Sequence, residues 1–208
     1  MRIVLALGWI GCGSSDPTDT APATTSATTD ATVPEPPADF GPSNRWPHVK
    51  VNDIPSNLAG TGLTDGFVAY DFVLKDQYGD DVSLYQFYGR VVLLDFMSVD
   101  CTGCSTRTFG HQQFWEDIDG DDTVMVVVVL RPDATGAMPT VPLAETWSAQ
   151  HFVTYPVLVD EADTLADWLP GGVPNAFLID WDMRIIESVF EPVDTNVVMS
   201  LAGDAPGN

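Results

Sequence analysis

The chain has 208 residues, 45% of them hydrophobic, and a formal net charge of −22 at pH 7. That length accommodates one domain with extensions, and the hydrophobic share is ordinary for a packed core. Residues beyond 50 hold 25 of the 30 acids and only 5 of the 8 bases, a surface that repels nucleic acid and anionic headgroups and argues against either as a binding partner.

Met1-Arg2 supplies one positive charge, and Ile3 to Ile10 is an apolar run too short to span a membrane. It ends in Gly11-Cys12 and resembles a truncated bacterial lipoprotein signal. The resemblance implies a signal peptide over 1–11 and lipidation of Cys12. A secretory signal with an incidental cysteine, or a buried first strand, is the alternative. Residues 12–44 are dominated by Ser, Thr, Ala, Pro and Asp, a composition that cannot offset the entropy of ordering, and read as a disordered tether. Gly13, where many inner-membrane lipoproteins carry aspartate, implies the outer membrane by the same resemblance. Residues 45–65 regain Trp46, Val49, Val51 and Ile54 as an extended lead-in, with His48 at the surface, and 66–208 form the domain.

Within the domain, Val68–Leu74 reads as a strand, Asp76–Asp81 as a turn around Gly79, and Val82–Phe87 as a short strand or helical turn. Arg90–Met97 is a near-continuous apolar run, as expected of a strand buried on both faces. A helix then carries Cys101 and Cys104 and runs to about Ile118. The acidic loop 117–122 lacks the spacing of a calcium loop. Thr123–Leu130 is a second fully buried strand. A Pro/Gly loop spans Arg131–Pro142, a helix Leu143–His151, and a strand near the sheet edge Tyr155–Val159. Asp163 is expected to cap a short helix through Leu169. Asn175–Asp180 and Ile185–Phe190 read as a hairpin turned at Trp181–Arg184, and Asp194–Leu201 as a closing helix. This order predicts an α/β domain with a sheet of four or five strands and helices on both faces.

Cys101-Thr102-Gly103-Cys104 at a strand-to-helix junction has the spacing of a redox dithiol. The first thiol sits over unpaired N–H groups and the positive end of the helix, which favours its thiolate, whereas Asp100 beside it acts in the opposite sense. Half a zinc site and a plain structural disulfide are the bland readings. A zinc site needs four ligands, and neither a second C-x-x-C nor an H-x-x-x-H is present. Asp95 interrupts the buried run. Desolvation would raise its pKa and make it a proton acceptor near neutral pH, unless it is a hydrogen-bonded structural aspartate.

LLDFMSVDCTGC resembles the active-site segment of the thioredoxin superfamily, and Gly172–Asp180 its cis-proline loop with the following strand. DFVLKDQYGDDVSLYQFYGRVVLLDF resembles the entry hairpin of the TlpA-like and peroxiredoxin-like branches. The resemblance covers about Gly66 to Leu201. It departs at Asp100, where tryptophan is usual, and at Phe109-Gly110, where a helix proline is usual. It implies a thioredoxin-like fold with a central mixed sheet, a redox-active pair Cys101 and Cys104, Asp95 as the acid serving Cys104, and a cis bond at Pro174 with Val173 offered to an extended substrate. In a parallel sheet the loops leaving the carboxyl strand ends border the site, which places 131–142 on the same rim as the cysteines.

The implied function is an extracytoplasmic thiol–disulfide oxidoreductase, a monomer anchored only by lipid in a bacterial envelope and facing the periplasm. Its partners are protein thiols and disulfides, and it uses no cofactor or metal. The alternatives are a copper-binding module holding the metal through both thiolates and a peroxiredoxin-like peroxidase. Against the peroxidase, residues 94–101 read LDFMSVDC and lack the usual Pro-x-x-x-Thr-x-x-Cys.

Overall fold

Two seven-residue runs within the domain, 91–97 and 124–130, are buried at every position. A computed structural model, which describes residues 41–49, 54–119, 121–169, 172–189 and 193–205, sets them at the centre of one seven-stranded sheet. In chain order the strands are β1 (Val73–Asp76), β2 (Asp81–Ser83), β3 (Val91–Met97), β4 (Val124–Leu130), β5 (Val157–Val159), β6 (Asn175–Ile179) and β7 (Ile185–Val189). The helices are α1 (Thr102–Asp117), α2 (Val141–His151) and α3 (Thr195–Gly203). The expected signal peptide, Cys12 and the linker up to residue 40 lie outside the described residues.

The spatial order is β2-β1-β5-β4-β3-β6-β7. β3, β4 and β5 run parallel through the crossovers α1 and α2, and β6 returns antiparallel to β3. The sheet exceeds the expected four or five strands because β1 docks antiparallel on β5, with Lys75 opposite Val159 and Asp76 opposite Leu158. β5 is therefore interior, and β2 takes the edge. Gly79, at φ +86°, makes the β1–β2 turn in a conformation that a side chain would strain.

Strand parity divides the core. Val92, Leu94 and Phe96 pack on one side with Trp168, Leu165, Phe177 and the 3-10 turn Leu84–Phe87. Val91, Leu93 and Met97 pack on the other with Cys104 and Phe114 of α1, Ala144 and Trp147 of α2, and Val198 of α3. The three α-helices thus lie on one face and the two 3-10 turns on the opposite one. The second of those, Ala166–Trp168, is not capped by Asp163. The buried Asp160 accepts from Thr164 N (2.7 Å) and Leu165 N (2.9 Å) instead, and Asp163, at φ +54°, pairs with Arg131.

The lead-in is built into the 3-10 face. Asn44 donates to Asp81 O at 2.7 Å and to Gln86 Oε1 at 2.9 Å. The buried Trp46 donates Nε1 to Asp76 Oδ2 at 2.7 Å, and Arg90 Nη1 reaches His48 O. Ile54, Leu58 and Leu63 pack on the same core. Trp46→Ala should therefore destabilise the fold by about 3–5 kcal/mol, read as a lower urea midpoint with unchanged slope. Trp46→Phe keeps a ring but leaves one Asp76 oxygen without its donor, and should cost about 1–3 kcal/mol. An unmoved midpoint for Trp46→Ala would mean that the lead-in lies outside the cooperative unit.

Candidate active site

β3 delivers its carboxyl end to a short loop, and Cys101 caps α1 in an extended conformation, φ −79° and ψ 107°. Its Sγ accepts the Cys104 N–H at 3.2 Å, and that amide also donates to Cys101 O at 3.1 Å, so the first turn is closed by the capping cysteine itself. Cys101 and Cys104 are joined as a disulfide. Cys101 is half-buried, whereas Cys104 is 1% exposed, so one sulfur of the pair is open to a partner and the other is shielded behind it. Thr108 Oγ1 donates to Cys104 O at 2.8 Å and holds the turn that carries the second sulfur.

Two loops share this rim. Val173–Pro174 is a cis bond, and the next residue, Asn175, stands opposite Phe96 in the β3–β6 ladder. Because β6 is antiparallel to β3, Pro174 lies at the strand end from which the cysteines leave. The 131–140 loop follows the parallel β4 and reaches the same end, where Arg131 N donates to Met97 O at 2.8 Å and Ala134 N to Asp100 Oδ2 at 2.9 Å. Ser98 Oγ donates to the other Asp100 oxygen at 2.5 Å. The Ser98 hydroxyl and the Ala134 amide hold the Asp100 carboxyl below the usual carboxylate range, so its charge beside Cys101 persists throughout the neutral range.

Asp95 is fully buried and, by the parity of β3, faces α1. Arg107 Nη1 donates to its Oδ1 and Oδ2 at 3.0 and 3.1 Å, and His111 Nε2 lies 3.6 Å from Oδ2. Burial raises the Asp95 pKa to about 7, against the lowering effect of Arg107. Burial, with the Arg107 charge second, lowers His111 to about 4, so this imidazole is neutral at pH 7. Tyr155, buried beside the pair, is raised by burial and then by the Asp95 charge.

A family description, AhpC/TSA family, matches residues 66–188. The chain belongs to the AhpC/TSA family. It is 26% identical over 119 residues, 57% of its length and 67% of the relative's, to the thioredoxin-like protein YneN of Bacillus subtilis. It shares its fold with a thiol:disulfide interchange protein from Bacteroides sp. (TM-score 0.57, 21% identity, 69% of this chain and 93% of that one). It shares it also with a secreted thiol–disulfide isomerase from Corynebacterium glutamicum (TM-score 0.52, 19% identity, 64% and 81%). The fold is thioredoxin-like, and the protein is an oxidoreductase.

The AhpC/TSA chain thus brings Cys101, Val173 and Pro174 to one rim and sets Cys104 and Asp95 behind it, on the face that α1 covers. Cys12 lies outside the described residues. Sequence reasoning missed Arg107 as the partner of Asp95. The available signal was the spacing of Cys104, Arg107, Thr108 and His111, which puts polar groups on the one helix stripe that must face the sheet. His111 turns to Asp95, and His151 stacks on Trp147 with ring centroids 4.7 Å apart.

The buried pair makes a pH-dependent contribution to stability. The Asp95 pKa is raised on folding, so the folded state holds the extra proton between about pH 4 and 7; this contribution is therefore lost as pH rises through that window. The His111 pKa is lowered, so the unfolded state holds the extra proton between about pH 4 and 6.5, and this contribution grows with pH and offsets the first. In Asp95→Asn only the histidine remains. Its stability relative to the wild type should rise from pH 4 to 7, with a slope of up to about 1.4 kcal/mol per pH unit, and level off above. Chemical denaturation at several pH values measures this, and a pH-independent difference would refute a raised Asp95.

Proposed function

We propose that this chain is an extracytoplasmic thiol–disulfide oxidoreductase acting on partner proteins through Cys101 and Cys104. The observation that carries the reading is the asymmetry of the disulfide, with Cys101 partly open at the helix start and Cys104 buried one turn in. In the reducing direction, the Cys101 thiolate attacks a partner disulfide. The partner's S–S bond breaks, a Cys101–partner bond forms, and one partner sulfur leaves as thiolate. Cys104 then gives its proton to Asp95 and attacks Cys101. The Cys101–Cys104 bond forms, the second partner sulfur leaves, and the partner has gained two electrons. The oxidising direction is the reverse. Val173 offers its backbone to an extended partner segment beside the cis Pro174. Lipidation at Cys12, with a tether leading to the domain, would place a monomeric head in the periplasmic space. The fold neighbour from Corynebacterium glutamicum is a secreted thiol–disulfide isomerase, which supports a location outside the cytoplasm.

Family membership favours one second reading, a peroxidase acting through Cys101. The residues before that cysteine, LDFMSVDC, lack the proline and threonine such a site uses. A copper module fits less well, because His111 is turned to Asp95 and His151, at the end of α2, lies at the opposite end of the parallel strands from the cysteines.

Cys104→Ser should accumulate mixed disulfides with protein partners, visible as dithiothreitol-sensitive adducts on non-reducing gels, and Cys101→Ser should accumulate almost none. The reverse pattern would exchange the roles of the two sulfurs. Rapid peroxide consumption by the reduced wild type, with no adducts from either variant, would replace this reading with the peroxidase.

A further inference from the structure

α1 carries more than the cysteines. On its inward stripe, one turn past Cys104, Arg107 reaches the sheet and is bound by both oxygens of Asp95, at 3.0 and 3.1 Å, with side chains 4% and 0% exposed. Among the described residues, the other groups packed around the carboxylate carry no charge at neutral pH. His111 of the same helix is neutral, Tyr155 precedes β5 as a buried phenol, and β4 and β6 present Val128 and Ala176 in register with Asp95. α3 adds Val198 and Ala202 to this core. Among the described residues, the charge facing Asp95 is therefore that of Arg107.

We infer that Arg107 is a positioning residue for disulfide exchange, keeping Asp95 able to ionise near neutral pH and tied to the cysteine-bearing helix, and so setting the pH at which Cys104 can give up its proton. The inference rests on the exchange reading above. The step concerned is resolution. The Cys104 S–H proton passes to the Asp95 carboxylate and the Cys104 sulfur pair attacks Cys101. The Cys101–partner bond then breaks, and the partner sulfur leaves as thiolate. An acceptor that is already protonated cannot take part. Burial alone pushes Asp95 toward the protonated form, and the guanidinium acts against it. An opposite charge at this range lowers a carboxyl pKa by about 1–3 units. Without Arg107 the acid stays protonated to higher pH.

The test is single-turnover release of a fluorescent peptide thiol from a preformed Cys101 mixed disulfide, followed from pH 5 to 9. In the wild type the rate should rise through a midpoint near 7, where Asp95 titrates. Arg107→Met should move that midpoint up by at least one unit, with release at pH 7 at least about fivefold slower and recovering at high pH. Arg107→Lys, which keeps the charge, should move it less. Asp95→Asn should remove the midpoint, and adding Arg107→Met to it should change the profile no further. That double variant carries neither buried charge, so the comparison remains available if Arg107→Met alone does not fold. A uniform slowing at every pH, or a shift that persists in the Asp95→Asn background, would overturn the inference and leave the exchange reading standing. No release by the wild type at any pH would remove both.

Discussion

The structure depends on how one buried carboxylate is accommodated. Asp95 sits within a strand buried at every position, where an uncompensated charge is costly, and Arg107 answers it from the helix that carries the cysteines. A buried ion pair is weak evidence for stability, since well-packed apolar replacements are often as stable or more so. Its consequences here are positional and chemical. It ties α1 to β3, and it leaves a carboxyl whose titration falls near neutral pH. A group that titrates there can take or return a proton without a large thermodynamic penalty.

The rim follows from the directions of the strands. β3 and β4 are parallel, so their carboxyl ends coincide, and the loops after Met97 and Leu130 meet there through Asp100 and Ala134. β6 runs the other way, so its beginning arrives at that same end. Three segments far apart in sequence therefore meet at one edge, while Cys104, Asp95 and Arg107 lie behind it. In the proposed exchange, partner contact and proton handling would occupy different depths of one site.

Polar staples hold the less regular parts. Asp160 gathers Arg131, Thr164 and Leu165 and so secures both the loop after β4 and the turn after β5. Asp76 gathers Trp46, Tyr78 and Asp80 and ties the lead-in to the first hairpin. Each carboxylate satisfies amides that a loop would otherwise leave unpaired. This is one structural use of an acid-rich composition whose net charge by itself says nothing about fold.

The sequence by itself determined what depends on local pattern. The runs VVLLDFM and VMVVVVL could only be enclosed strands, the helix after Cys101 followed from its place at a strand end, and the Trp181–Arg184 hairpin from its turn residues. These fix the α/β order and put two sulfurs at a helix start. The tertiary structure decided what depends on who meets whom. The docking of β1 on β5 made an expected edge strand interior, because short strands pair by the surfaces available and carry little register information of their own. Asp163 lost its expected capping role because Asp160 already held the amides of that turn, leaving Asp163 to Arg131. The partner of Asp95 lies twelve residues away on another element. Only folding brings the two together, because their attraction decides anything only after both have left water.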